Sequence, residues 1–157
     1  MYRSTMVLTI EHASVESDET RRLMAELCAE IDQLYGNDIH PASNLSRMDQ
    51  PGAAFLLARQ GGAAIGCAAL RPLTRETAEV KRMYVQPHAR RAGAARALMH
   101  ELHQLARAAG FNEIWLETGL LQPAAIRLYE SLGYTRIAAF GDYKDDPANV
   151  GYGKRLT

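Results

Sequence analysis

Apolar and polar residues recur along this chain with two periods, and the change of period marks its elements. Val7-Leu8-Thr9-Ile10 reads as a first strand. A polar run from Ser14 to Glu19 follows, where Asp18 and Glu19 would open a helix favourably against its dipole. Leu23, Leu27, Cys28, Ile31 and Leu34 then recur at helical spacing as far as Gly36. No period holds between Asn37 and Gly52, and Pro41, Asn44, Ser46 and Pro51 predict a loop with one short helix. Two apolar runs, Ala53 to Ala58 and Ala63 to Leu70, meet across Gln60-Gly61-Gly62, whose glycines accept positive φ, so a β-hairpin is expected. A third run from Ala78 to Val85 would make three consecutive antiparallel strands.

The pattern changes at Pro87. Ala95, Leu98, Met99, Leu102, Leu105, Ala106 and Ala109 form one apolar stripe at helical spacing, stopped by Gly110. Ile114-Trp115-Leu116 predicts a strand, and Pro123 opens a shorter helix, Ala124 to Leu132, closed by Gly133. Tyr134 to Phe140 and Val150 to Leu156 read as final strands around a polar Gly141–Asn149 connection. Strand, helix and strand from Glu79 to Thr118 form a βαβ unit, which makes its two strands parallel. The expectation is one mixed α/β (α+β) domain over residues 1–157.

Composition narrows the function. A length of 157 residues suits one domain, and 47% apolar with 23% charged residues is ordinary globular composition rather than disorder. Lys and Arg total 18 against 18 Asp and Glu, so the net charge is zero. A nucleic acid or an anionic membrane would call for a basic excess, and neither is expected as a partner. No apolar stretch approaches the ~20 residues needed to span a bilayer. The start, Met1 to Met6, carries no secretory leader pattern, so a cytoplasmic location is expected. Cys28 and Cys67 are too few for a disulfide framework and lack metal-ligand spacing; reduced, buried thiols and no metal are expected.

The stretch with the clearest chemistry is Arg90-Arg91-Ala92-Gly93-Ala94-Ala95, between a strand and the start of an amphipathic helix. A glycine with tiny neighbours lets the backbone approach a ligand and leaves N–H groups unpaired. The helix dipole adds positive charge there, and Arg90, Arg91 and Arg96 add full charges, which together favour phosphate. Neither a Gly-x-Gly-x-x-Gly fingerprint nor a Gly-x-x-x-x-Gly-Lys-Ser/Thr loop is present.

Here the chain resembles the GNAT acyltransferases, which move an acyl group from acyl-coenzyme A to an amine. Their Gln/Arg-x-x-Gly-x-Gly/Ala pattern is matched by Arg90-x-x-Gly93-x-Ala95 after Lys81-Arg82-Met83-Tyr84-Val85-Gln86-Pro87. Their second block, a strand and then a helix ending Leu-Tyr-Glu-x-x-Gly-Phe/Tyr, is matched by Ile114 to Thr118 and by Ala124 to Tyr134. The resemblance implies a central mixed, mostly antiparallel sheet of about seven strands, with one parallel βαβ pair and about four flanking helices. It implies an acetyl-CoA-dependent N-acetyltransferase acting on a primary amine by direct attack. A small-molecule acceptor is favoured, because the chain has no obvious peptide-docking extension. The alternatives are a protein N-terminal or lysine acetyltransferase, or a non-catalytic acyl-CoA-binding sensor. Homodimers are frequent in that family.

Residue roles are implied in the same way. Backbone amides of Arg90, Arg91, Ala92, Gly93, Ala94 and Ala95, with Arg96 beside them, would hold the pyrophosphate. Met83, Tyr84 and Val85 would present backbone groups to the pantetheine arm, like one more strand, and one N–H would polarise the thioester carbonyl. Tyr129 would protonate the departing thiolate, and Glu79 stands where some members carry a general base, others using water. Gln122 replaces the asparagine common before the second helix, and Ala125 follows it on the cofactor side.

Other candidates carry weaker patterns. His100-Glu101-Leu102-His103 has the wrong spacing for a zinc helix and reads as a solvated face. His88 reads as an ordinary loop histidine. Asp142-Tyr143-Lys144-Asp145-Asp146, with Tyr35 and Asp38, are candidates for the acceptor side, where acidic and aromatic groups suit a cationic amine.

Overall fold

The computed structural model describes residues 7–36 and 48–156. Its elements are β1 (Leu8–His12), α1 (Asp18–Tyr35), β2 (Ala54–Gln60), β3 (Ala63–Pro72), β4 (Thr77–Val85), a 3-10 turn (Pro87–Ala89), α2 (Ala94–Ala108), β5 (Glu113–Gly119), α3 (Pro123–Ser131), β6 (Thr135–Ile137) and β7 (Asn149–Arg155). The seven strands form one sheet in the order β1-β2-β3-β4-β5-β7-β6. Every neighbouring pair is antiparallel except β4 and β5, which are joined through α2 and run parallel, as the βαβ spacing requires.

Local chemistry sets the helix ends. Ser17 caps α1, its Oγ accepting from the Thr20 N–H at 3.2 Å, and Asp18 and Glu19 fill the first turn. Gly36, with φ 84, ends that helix. Pro123 opens α3, and Gly133, with φ 90, follows its end.

The two faces of the sheet bury separate cores. Leu56, Ala58, Ala68, Leu70, Ala78 and Val80 pack with Leu98, Met99, Leu102 and Ala106 of α2. Phe55, Leu57, Cys67, Ala69 and Tyr84 pack with Leu23 and Leu27 of α1 on the opposite face. Alternation along β2 therefore serves both faces, since successive side chains point to opposite sides of a strand.

Three α-helices are present among the described residues, against the four expected. The short helix expected between 37 and 52 falls mostly outside the described residues, and positions 48–52 are turns and bends. The strand expected from Tyr134 to Phe140 is only Thr135–Ile137. Its continuation leaves the sheet because the Phe140 N–H donates instead to Glu117 Oε2 at 3.1 Å. Among the described residues no helix is long and apolar enough to cross a membrane.

Candidate active site

β4 and β5 begin as partners and then part. Their register runs from Thr77↔Glu113 to Val80↔Leu116, although β4 continues to Val85 and β5 to Gly119. A bulge lies where they diverge. The β3–β4 register jumps from Ala69↔Lys81 to Cys67↔Tyr84, and Arg82 takes a left-handed conformation with φ 57. The extra residue switches which side chains face α2, from Ala78 and Val80 before it to Met83 and Val85 after it.

A cavity of about 270 Å³ occupies this divergence. Its walls come from α1 (Leu27, Ile31, Tyr35), β4 (Glu79 to Met83), β5 (Glu117 to Gly119), α3 (Ala125, Tyr129) with Gln122 just before it, and the final connection (Asp142, Tyr143, Asp146, Ala148) with Asn149 at the start of β7.

The glycine turn expected to cradle phosphate lies at the start of α2. Arg91 has φ 66, and Gly93 caps the helix at φ 89 with no side-chain cap for the first-turn amides. A Cβ placed on Gly93 would meet no protein atom within 4 Å, so open space adjoins these N–H donors. Arg91, Ala92 and Gly93 are exposed and Ala94 is buried beneath them. Free amides, a helix dipole and open approach fit the pyrophosphate of acetyl-CoA. The arginines divide. Arg96 Nη2 donates to Ser131 Oγ at 2.8 Å. Arg90 turns away towards α1: its Nε donates to the Val85 carbonyl at 2.8 Å, its Nη2 pairs with Glu30 at 2.6 Å, and it lies over the Tyr84 ring. Arg90 thus spends its charge on Glu30, and its own N–H donates to the Pro87 carbonyl at 3.4 Å.

Tyr129 lines the cavity and is 5% exposed, its ring edge-on to Tyr134 at 5.9 Å. Burial pushes its phenol pKa up, so the hydroxyl keeps its proton at neutral pH. Glu79 also lines the cavity but is buried at 2% exposure, not solvated. Its Oε1 lies 2.9 Å from Arg71 Nε and from Arg71 Nη2, and its Oε2 is 3.6 Å from Lys81 Nζ. Met83, Gln122 and Ala125 reach the cavity, while Tyr84 turns to the α1 face, where its hydroxyl meets Glu26 at 3.3 Å. Burial first, then the Glu26 charge, pushes the Tyr84 phenol up to about 12.

Of the residues expected on the acceptor side, Tyr35, Asp142, Tyr143 and Asp146 line the cavity, whereas Lys144 and Asp145 do not. Asp38 lies outside the described residues. The Tyr35 hydroxyl donates to Gln122 Oε1 at 3.4 Å and accepts from the Leu121 N–H at 3.1 Å, tying α1 to the turn before α3. Two wall residues escaped the sequence reading. Glu117 Oε2 accepts from Asn149 Nδ2 at 2.7 Å as well as from the Phe140 amide, pinning the final connection to β5. Arg82, given no role beyond its place in the segment before the glycine motif, is buried at the bulge; the shift of apolar parity between Val80 and Met83 is the signal that could have located it.

The histidine pair also departs from expectation. His100 is exposed, but His103 is buried, with Nε2 2.7 Å from the Tyr134 hydroxyl. Burial, then the charges of Lys154 and Arg107, bring the His103 pKa down to about 4. His88 is exposed in the 3-10 turn. Among the described residues no group of three His, Cys, Asp or Glu side chains is placed to hold a metal.

Known proteins share this arrangement. The Acetyltransferase (GNAT) family model matches residues 17–134. An IAA acetyltransferase of Azospirillum brasilense is 35% identical over 144 residues, covering 91% of this chain and 94% of that protein. A solved structure from Klebsiella pneumoniae, described as an acyl-CoA N-acyltransferase, superposes with a TM-score of 0.80 at 30% identity, covering 96% of this chain and 99% of that one. A GNAT family acetyltransferase from Elizabethkingia anophelis, solved with acetyl-CoA bound, shares the fold at a TM-score of 0.70 and 17% identity, covering 94% of this chain and 97% of that one. With the parted parallel strands and the glycine-capped helix, these matches place the chain in the GNAT acetyltransferase family, as an acetyl-CoA-dependent acyltransferase.

Proposed function

We propose that the enzyme transfers the acetyl group of acetyl-CoA to the primary amine of a small molecule by direct attack. The observation carrying this reading is the cavity between β4 and β5, walled by α3 and by α1 with the final connection. Acetyl-CoA supplies an activated thioester; the chain supplies position, polarity and protons. The amides from Arg91 to Ala95 hold the pyrophosphate, and the N–H groups of β4 beyond Val80 face the pantetheine arm and the thioester carbonyl. Tyr129, kept protonated by burial, donates to the departing thiolate.

Direct attack is supported by the thiols. Burial pushes Cys67 up to about 12, with its Sγ donating to the Arg82 carbonyl at 3.3 Å, and it raises Cys28. Neither cysteine lines the cavity or is activated as a nucleophile. Glu79 would have to give up its hydrogen bonds to Arg71 to accept a proton, so we assign it as the anchor of Arg71 and Lys81, with water carrying the amine proton. A cavity of about 270 Å³ suits a small acceptor. A cytoplasmic enzyme accords with the two free thiols.

The test is thiol release from acetyl-CoA with small amines, amino acids, peptide N-termini and peptide lysines, with products identified by mass. The proposal expects an N-acetylated small amine. Turnover confined to peptides would overturn the acceptor class, and acetyl-CoA binding with no turnover would favour a sensor.

A further inference from the structure

We propose that Arg82 binds a carboxylate on the acceptor, so that the amine acetylated belongs to an amino acid or a similar amine bearing a carboxylate. This deepens the acetyl-transfer reading above and rests on it.

Arg82 lines the cavity at 9% exposure, and its Nε is buried without a hydrogen-bond partner. Among the described residues no carboxylate comes within 4.0 Å of its guanidinium. The anions around it are already committed. Glu79 serves Arg71 and Lys81, and Arg82 makes no ion pair with it. Cys28 and Cys67, both within electrostatic reach of Arg82, have thiols that burial keeps neutral. Asp32 of α1 keeps its own Oδ1 buried without a hydrogen bond and makes no ion pair with Arg82.

A buried cation is ordinarily paired, because removing it from water is costly. The backbone adds to that cost, since a left-handed non-glycine residue carries about 1–2 kcal/mol of strain. Both costs persist at one residue of the cavity wall, where a ligand can supply the missing anion. Guanidinium presents a planar fork of donors matched to a carboxylate. Glu117, Asp142 and Asp146 line other walls of the same cavity, so its charges are divided as those of a zwitterion are. The apolar Leu27 and Ile31 leave room for an uncharged side chain.

The experiment compares phenylalanine with phenylalanine amide and phenethylamine as acceptors, in the wild type and in Arg82→Asn and Arg82→Lys. Asparagine tolerates the left-handed backbone, so it separates loss of charge from loss of fold. In the wild type kcat/KM should favour the acid by about thirtyfold, the scale of a buried ion pair. Arg82→Asn should erase that preference and Arg82→Lys should keep part of it, with acetyl-CoA affinity held in both. An amide or amine used as well as the acid, or an acid preference that survives Arg82→Asn, would overturn the proposal. If no acceptor is acetylated, the acetyl-transfer reading fails separately. Titration of N-acetylphenylalanine and its amide into coenzyme A-saturated protein then decides the subsite. Tighter binding of the acid, lost in Arg82→Asn, upholds it; equal binding overturns it.

Discussion

The two sides of the cavity are built by different means. The proposed cofactor side is mainly backbone: a left-handed Gly93, uncapped amides at the start of α2, and the edge of β4 beyond Val80 where its pairing with β5 ends. The proposed acceptor side is mainly side chains, brought from α1, the bulge in β4, the end of β5 and the 141–149 connection. A backbone site tolerates few residue types, because positive φ and close approach select glycine and small neighbours. A side-chain site only needs its residues to meet in space, so its composition is free to follow the acceptor.

If that contrast is right, the largest effect comes from the cradle. Gly93→Val should weaken acetyl-CoA binding by more than about a hundredfold, through left-handed strain and a Cβ branch in the space the ligand needs. Calorimetry on the folded variant checks this, and near-normal affinity would move the cradle elsewhere. Next is the acceptor wall, where Glu79→Gln leaves Arg71 and Lys81 sharing a neutral amide. The expected cost is about 3 kcal/mol of stability, read from denaturant midpoints, with the kcat/KM pH profile keeping its shape. A lost acidic limb on a stable protein would make Glu79 the base.

Tyr129 separates chemistry from binding. Tyr129→Phe should lower kcat by about a hundredfold, the lower end for general acid catalysis, while the KM for acetyl-CoA holds. An unchanged kcat would return Tyr129 to the core. The smallest effect belongs to His103, away from the cavity. Its ring stays neutral down to about 4 when folded, while the unfolded chain protonates it near 6.5. The unfolded state thus binds more protons across that window, and stability falls as pH drops through it, by about 2 kcal/mol between pH 6.5 and 5. His103→Gln should flatten that slope in thermal melts.

The sequence carried the same contrast. Strand and helix periods located the sheet, the βαβ crossover and both cofactor-side helices, because each is set by residues close in the chain. The glycine turn at Gly93 was legible for the same reason, and its left-handed backbone came only from the structure. What local pattern could not supply was orientation. Arg90 and Arg82 look alike as arginines of one short segment, yet Arg90 turns to Glu30 and Tyr84 while Arg82 is buried at a bulge. His103 looked solvated because its partner, Tyr134, lies 31 residues away. Phe140 reads as strand but is drawn out of the sheet by Glu117 from another element.

The central claim is that both substrates meet in one cavity and react directly. Steady-state initial velocities, with acetyl-CoA and the acceptor varied against each other, test it most directly. The account predicts intersecting double-reciprocal lines and no mass gain on protein incubated with acetyl-CoA alone. Parallel lines with an acetylated cysteine would contradict it, placing a covalent step where neither thiol is activated.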